Sequence, residues 1–131
     1  MDRQTLVING NNFSDLEGFY VEIDSVLTKN LTWKTGHNLD AFNDLLRGGF
    51  GVFGYEEPVI LIWRDSEISK INLGYRQTVA HYKAMLKRCH PSNRSTVTGF
   101  LNNAEKEEGE TLFEILISII KKHSHIELRL E

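Results

Sequence analysis

The chain has 131 residues, 40% hydrophobic and 25% charged, which is the composition of an ordinary folded domain able to bury a core without staples. Its formal charge of −3 argues against a nucleic-acid binder, because phosphate backbones demand clustered cations. A single cysteine, Cys89, excludes a disulfide within the chain, and the leading apolar run of Leu6, Val7 and Ile8 is too short for a signal peptide or a membrane span, so a cytoplasmic protein is expected.

Thr5, Leu6, Val7 and Ile8 are closed by Asn9-Gly10 and read as a buried strand ending in a turn. Ser14 is expected to cap the helix that follows, with Glu17 completing a capping box. Leu16, Phe19, Tyr20, Ile23 and Leu27 share one face of that helix, which should stop near Lys29 and Asn30. A loop over residues 32–37 carries Trp33 and Gly36. Asn38 is then a good N-cap for a second helix running to Arg47, with Leu39, Phe42, Leu45 and Leu46 as its apolar stripe.

A glycine and aromatic loop occupies residues 48–55. Residues 58–63 follow, apolar on both faces and short, as suits the central strand of a parallel sheet. Residues 66–73 allow a turn or two of helix. Tyr75, Val79, Tyr82, Leu86 and Cys89 mark an amphipathic helix that stops at Pro91. Residues 92–109 are polar and poorly periodic, with Val97, Phe100 and Leu101 as anchors. Residues 112–120 are strongly apolar and run into Lys121, Lys122 and His123, a favourable helix C-terminus. Ile126, Leu128 and Leu130 alternate with charged residues, as in an edge strand guarded by charge. Strands separated by helices imply an α/β fold with a small parallel sheet in one domain, residues 1–131.

Residues 49–54, Gly-Phe-Gly-Val-Phe-Gly, carry the letters of a dinucleotide-binding motif, but they follow a helix and precede a strand, the reverse of what a phosphate site needs. His123 and His125 have no third metal ligand nearby in sequence and read as structural. Arg76, Lys83, Lys87, Arg88 and Arg94 lack aromatics interleaved on an exposed face, so a solvated face fits them better than an RNA site.

Charge is unevenly spread: residues 1–70 carry a net −5 and residues 71–131 a net +2. An acidic half suggests a cationic partner, because local fields steer binding. On the helix after Asn38, Asp40 and Asp44 lie four apart and share the outward face, with Asn43 beside them. Like charges so placed cost about 0.2–0.5 kcal/mol, partly offset for Asp40 by the helix N-terminus. Two readings stand on these residues: an ordinary polar face, or an anionic pair held out to a cationic partner. A catalytic carboxylate pair fits less well, because a convex exposed helix neither excludes water nor shifts a pKa far.

At this helix the sequence resembles the barstar family of ribonuclease inhibitors. The likeness runs through Val7-Ile8-Asn9-Gly10, the stretch from Gly36 to Leu46 with its Asn38-Leu-Asp40-Ala41, the strand ending in Trp63-Arg64, and Ser69-Lys70. It resumes more loosely from about Glu110. The resemblance implies a three-stranded parallel sheet packed with helices, with residues 71–108 as a helical and loop insertion. It also implies a protein that is not an enzyme, needs no cofactor or metal, and is a monomer when free. Its partner would be a basic ribonuclease of the secreted type, whose active site it would occlude, with no direct contact to nucleic acid or membrane.

By position, Asp40 and Asp44 resemble the family aspartates that enter the enzyme's cationic cleft. Gly36 matches the glycine that allows close backbone approach, and Thr35 and Asn43 fall where relatives carry aromatic contacts. Asn38 and Arg47 complete the expected partner-binding set. The chain departs from the family in those two aromatic positions, in a longer loop at 48–57, and at Ser118, where relatives carry a further acid. An immunity or adaptor module for a different basic toxin or protein is the alternative. An RNA-binding or enzymatic role for the basic helix at 76–94 is a third.

Overall fold

Val59–Arg64 forms the middle strand, β2, where branched and aromatic side chains favour extended backbone. It pairs in parallel with β1 (Gln4–Asn9) on one side and β3 (Ile126–Leu130) on the other. The computed structural model describes residues 3–29, 31 and 35–131. Asn30, where the first helix was expected to stop, and residues 32–34, including Trp33, lie outside them.

The register sets Leu6, Leu61 and Leu128 in one row and Ile8, Trp63 and Leu130 in the next, on the face that meets the helices. Trp63 is fully buried, stacked on Phe19 at 5.3 Å, and its indole N–H donates to the Ser69 hydroxyl at 3.0 Å. The apolar run of β2 led us to expect burial on both faces, yet Ile60 and Ile62 are only half-buried. On their face Arg3, just ahead of β1, reaches Glu127 of β3 at 3.0 Å, a contact that spans the central strand. Charged side chains there do part of the covering that a second helical layer would do.

α1 (Leu16–Leu27) buries Phe19, Tyr20, Ile23 and Leu27 against the sheet. Its N-cap is Asp15, which accepts from the Gly18 amide at 2.8 Å, and not Ser14. With Asp15 as the cap, Gly18 and not Glu17 stands third in the helix, so no capping box forms, and the Glu17 carboxylate is turned to His37. α2 (Leu39–Leu46) and α3 (Ser66–Asn72) follow on either side of β2 in the chain. The 48–57 loop between α2 and β2 folds back on itself, with the Gly49 amide donating to the Phe53 carbonyl and the Glu56 amide to the Arg47 carbonyl. Gly48, at φ +90°, is required there, because a Cβ would lie 2.3 Å from the Gly54 carbonyl oxygen.

α4 (Tyr75–Leu86) stops short of Pro91, and its apolar stripe of Tyr75, Val79, Tyr82 and Leu86 is only half-buried. Within residues 92–109, polar and poorly periodic in sequence, α5 (Arg94–Glu105) forms and pairs with α4. Its Thr, Asn and Gly content gives weak intrinsic helicity, so packing decides. Val97, Leu101 and Ala104 are buried along one face, outside the main core cluster. Phe100 is 48% exposed and stacks on Tyr82 at 5.5 Å, so it is not the anchor expected. Thr78 is buried and accepts from the Leu112 amide at 2.9 Å, fastening α4 to the start of α6 (Leu112–Lys121). The strand, helix and sheet order is the α/β arrangement read from the sequence. No helix among the described residues is long and apolar enough to cross a membrane.

Candidate partner-binding face

α2 is fixed from beneath by Phe42, Leu45 and Leu46, each at most 4% exposed. Asn38 starts it, accepting from the Ala41 amide at 2.8 Å. With the apolar side held inward, the four-residue spacing of Asp40 and Asp44 turns both carboxylates outward, and both residues are exposed. No ion pair neutralises either one among the described residues. Arg47, at the C-cap, is exposed as well.

The other expected contact residues divide. Gly36 is exposed, with a backbone φ that any residue could adopt; a Cβ there would sit 3.2 Å from the Asn38 side chain and 3.4 Å from Ala41. Glycine at this position leaves room for the cap. Asn38 is exposed, but its carbonyl oxygen is engaged in that cap. Thr35 is 9% exposed and its hydroxyl donates to the Asp24 carboxylate, so it faces α1. Asn43 is half-buried, with its side-chain oxygen 2.8 Å from Nε2 of His123. Both were expected on the outward contact surface, and both point into the protein because a buried or half-buried polar group takes the nearest partner.

The two histidines of the α6–β3 turn hold the far end of α2. Nε2 of His125 donates to the Leu46 carbonyl at 2.9 Å, satisfying one of the orphan acceptors at the helix end. Burial first, then His125 and Arg47, hold the His123 pKa below its ordinary value.

Two concavities flank the acidic pair. One, of about 400 Å³, lies beside Asp40 between α1, the start of α2 and α4, and is lined by Tyr20, His37, His81, Met85 and Arg88 among others. The other, of about 160 Å³, lies beside Asp44 and is bordered by Gly36, Ala41, Leu45 and Phe50. α4 therefore stands next to the acidic helix without covering either carboxylate.

Sequence reasoning passed over Asp24 and gave Glu17 and Tyr20 other roles, in a cap and an apolar stripe; all three support this face from α1. Their i, i+3, i+7 spacing puts them on one stripe, and that was the available signal. Nothing local could have placed Met85 or Arg88 beside Asp40, since only the tertiary fold brings them there.

A search of curated proteins finds no match to the chain. The model of the family described as Barstar (barnase inhibitor) matches residues 3–90, from the start of β1 past the end of α4. The match takes in α2 and the whole acidic face, and covers well over half of the sequence, so the chain belongs to the barstar family, whose members are inhibitors and not enzymes.

Proposed function

We propose that this protein inhibits a small basic ribonuclease of the secreted type by laying α2 across its active site. The observation that carries the reading is the paired exposure of Asp40 and Asp44 on a helix whose opposite side is locked into the core. Two carboxylates four residues apart offer a fixed pair of acceptors to cations that ordinarily bind phosphates. Steering by the acidic face speeds encounter, and desolvated charge pairs slow release, as the barnase–barstar pair itself illustrates.

The contact set proposed is Gly36, Asp40, Asp44 and Arg47, with the Asn38 amide at its edge. Thr35 and Asn43 act from behind, through Asp24 and His123. Residues 71–108 are read as a helical addition; α4 falls within the residues that the family model matches, so the reading rests on α5, which lies beyond them and whose buried Val97, Leu101 and Ala104 stand apart from the main core. The lone Cys89 suits a reducing cytoplasm.

The test is to titrate the protein into a panel of small secreted ribonucleases and follow RNA cleavage. Asp44→Ala should weaken the inhibition found by about 10- to 150-fold, the loss of one charged hydrogen bond worth about 1.5–3 kcal/mol. Added salt should slow association. Equal inhibition by the variant would remove the acidic helix from the interface.

A second reading is favoured by one observation, the inward turn of the two residues that replace aromatic contacts. It keeps the face and changes the partner to a different basic toxin. Inhibition of no ribonuclease in the panel, together with capture of a basic protein that lacks RNase activity and releases Asp44→Ala, would select it.

A further inference from the structure

A neutral imidazole carries one N–H and so can donate one hydrogen bond; only the imidazolium donates from both nitrogens. His37, the residue between Gly36 and Asn38, has a carboxylate at each ring nitrogen. Nδ1 is 2.5 Å from Glu17 Oε1 and Nε2 is 2.7 Å from Asp24 Oδ2. The second oxygen of Asp24 accepts from the Thr35 hydroxyl. The ring also lies over Tyr20 at 5.6 Å and 26°. Both residues that flank Gly36 are thereby tied to one carboxylate on α1, and the α2 cap begins at the next position.

We propose that His37, in its imidazolium form, is a positioning residue that latches residues 35–38 onto α1 and so fixes Gly36 and the start of α2 for the partner. The consequence for binding rests on the inhibitor reading above; the latch itself does not. Its geometry needs the proton, since without it one of the two carboxylate contacts loses its donor and two lone pairs face each other.

The groups facing the ring from each neighbouring element are Glu17, Asp24 and Tyr20 on α1, Asp40 on α2, and Arg88 and His81 on α4. Of these, Asp24 and Glu17 set the balance at the ring. His81 is held below its ordinary pKa by burial and then by Arg88, so it adds no competing cation near neutrality. The hydrogen bond to Asp24, then that to Glu17, raises the His37 pKa above 6.5. With the folded value raised, the latch is complete below about pH 6.5 and is lost as the pH climbs through the folded value.

Deprotonation acts on binding in two opposed ways. It loosens residues 35–38, and it also removes a positive charge from the concavity that Asp40 borders, which makes the face more acidic. Screening separates them: at about 0.5 M salt the Debye length is near 4 Å, so steering fades while the short contacts to Glu17 and Asp24 persist.

The free protein is tested first, by NMR. Near pH 6 both His37 ring nitrogens should be protonated, and the Gly36 and His37 amides should have order parameters near 0.85, falling toward about 0.6 once His37 has titrated. In His37→Gln, whose amide donates to one carboxylate at every pH, those amides should show no pH dependence. A single protonated nitrogen near pH 6, or order parameters unmoved across the titration, overturns the latch whether or not any ribonuclease binds.

The second arm uses whichever panel ribonuclease is inhibited, at about 0.5 M salt. Relative to His37→Gln, which cancels the enzyme's own titration, wild-type affinity should fall about tenfold between about pH 6 and pH 9, one net hydrogen bond. Parallel pH profiles for the two proteins would overturn the positioning role even if the free latch were present. Absence of inhibition across the panel would sink the ribonuclease reading and leave the first arm to decide the latch.

Discussion

If Asp44 is kept for a partner, the free protein should be more stable without it. Asp44 lies in the last turn of α2, where the carbonyl ends of the helix disfavour an anion by about 0.3–1 kcal/mol. Asp40, one turn earlier, repels it by about 0.2–0.5 kcal/mol, and aspartate trails alanine in helix propensity by up to about 0.7 kcal/mol. No ion pair joins Asp44 to Arg47 to compensate. With solvent screening of the two charge effects, Asp44→Ala should stabilise the free chain by about 1 kcal/mol, a rise of roughly 3–5 °C in Tm for a domain of this size. Asp40→Ala is the control: it gains propensity but gives up a favourable place in the first helical turn, so its net effect should be close to zero. Urea unfolding at low salt, where the midpoint moves without a change in m, measures both. A destabilised Asp44→Ala, or equal shifts for the two variants, would refute the claim that Asp44 is held against the interest of the free helix.

Ser69→Ala leaves the buried Trp63 indole N–H without its acceptor, so it should cost about 1–3 kcal/mol in chemical unfolding and shift the tryptophan emission. His125→Ala removes the donor to the Leu46 carbonyl; stability should drop by about 0.5–1.5 kcal/mol, and amide exchange should rise in the last turn of α2 but not in α4.

What the sequence made legible was local. Asn38 announces α2 because a short polar side chain before an apolar stripe has few better uses than a cap. Residues 58–63 announce β2 because nothing else suits the five consecutive branched and aromatic side chains between Pro58 and Arg64. α5 was hidden because its helicity is lent by α4, and a scan for periodicity sees only one partner of such a pair. At the site, the two aspartates were readable from spacing alone. Thr35 and Asn43 were not, since an exposed contact and an inward hydrogen bond use the same residue types, and the choice is made by Asp24 and His123 from distant parts of the chain. His37 escaped notice for the same reason.

The repulsion stored between Asp40 and Asp44 cannot itself be the source of tight binding. Even if a partner's cation abolished it, the return is about 0.2–0.5 kcal/mol, against the roughly 8–12 kcal/mol that separates free components from a micromolar to nanomolar complex. Placement is worth more. Each rotamer-rich side chain immobilised on binding costs about 0.5–1.5 kcal/mol, and loop ordering adds to that. Here the backbone carrying the acids is already pinned at one end by the Asn38 cap, at the other by His125, and underneath by Phe42, Leu45 and Leu46. Aspartate, with its short side chain, leaves little further freedom to lose. On the inhibitor reading, α2 meets its partner with its entropy already surrendered during folding, and the elements that enforce this lie behind the face, where changes in partner need not touch them.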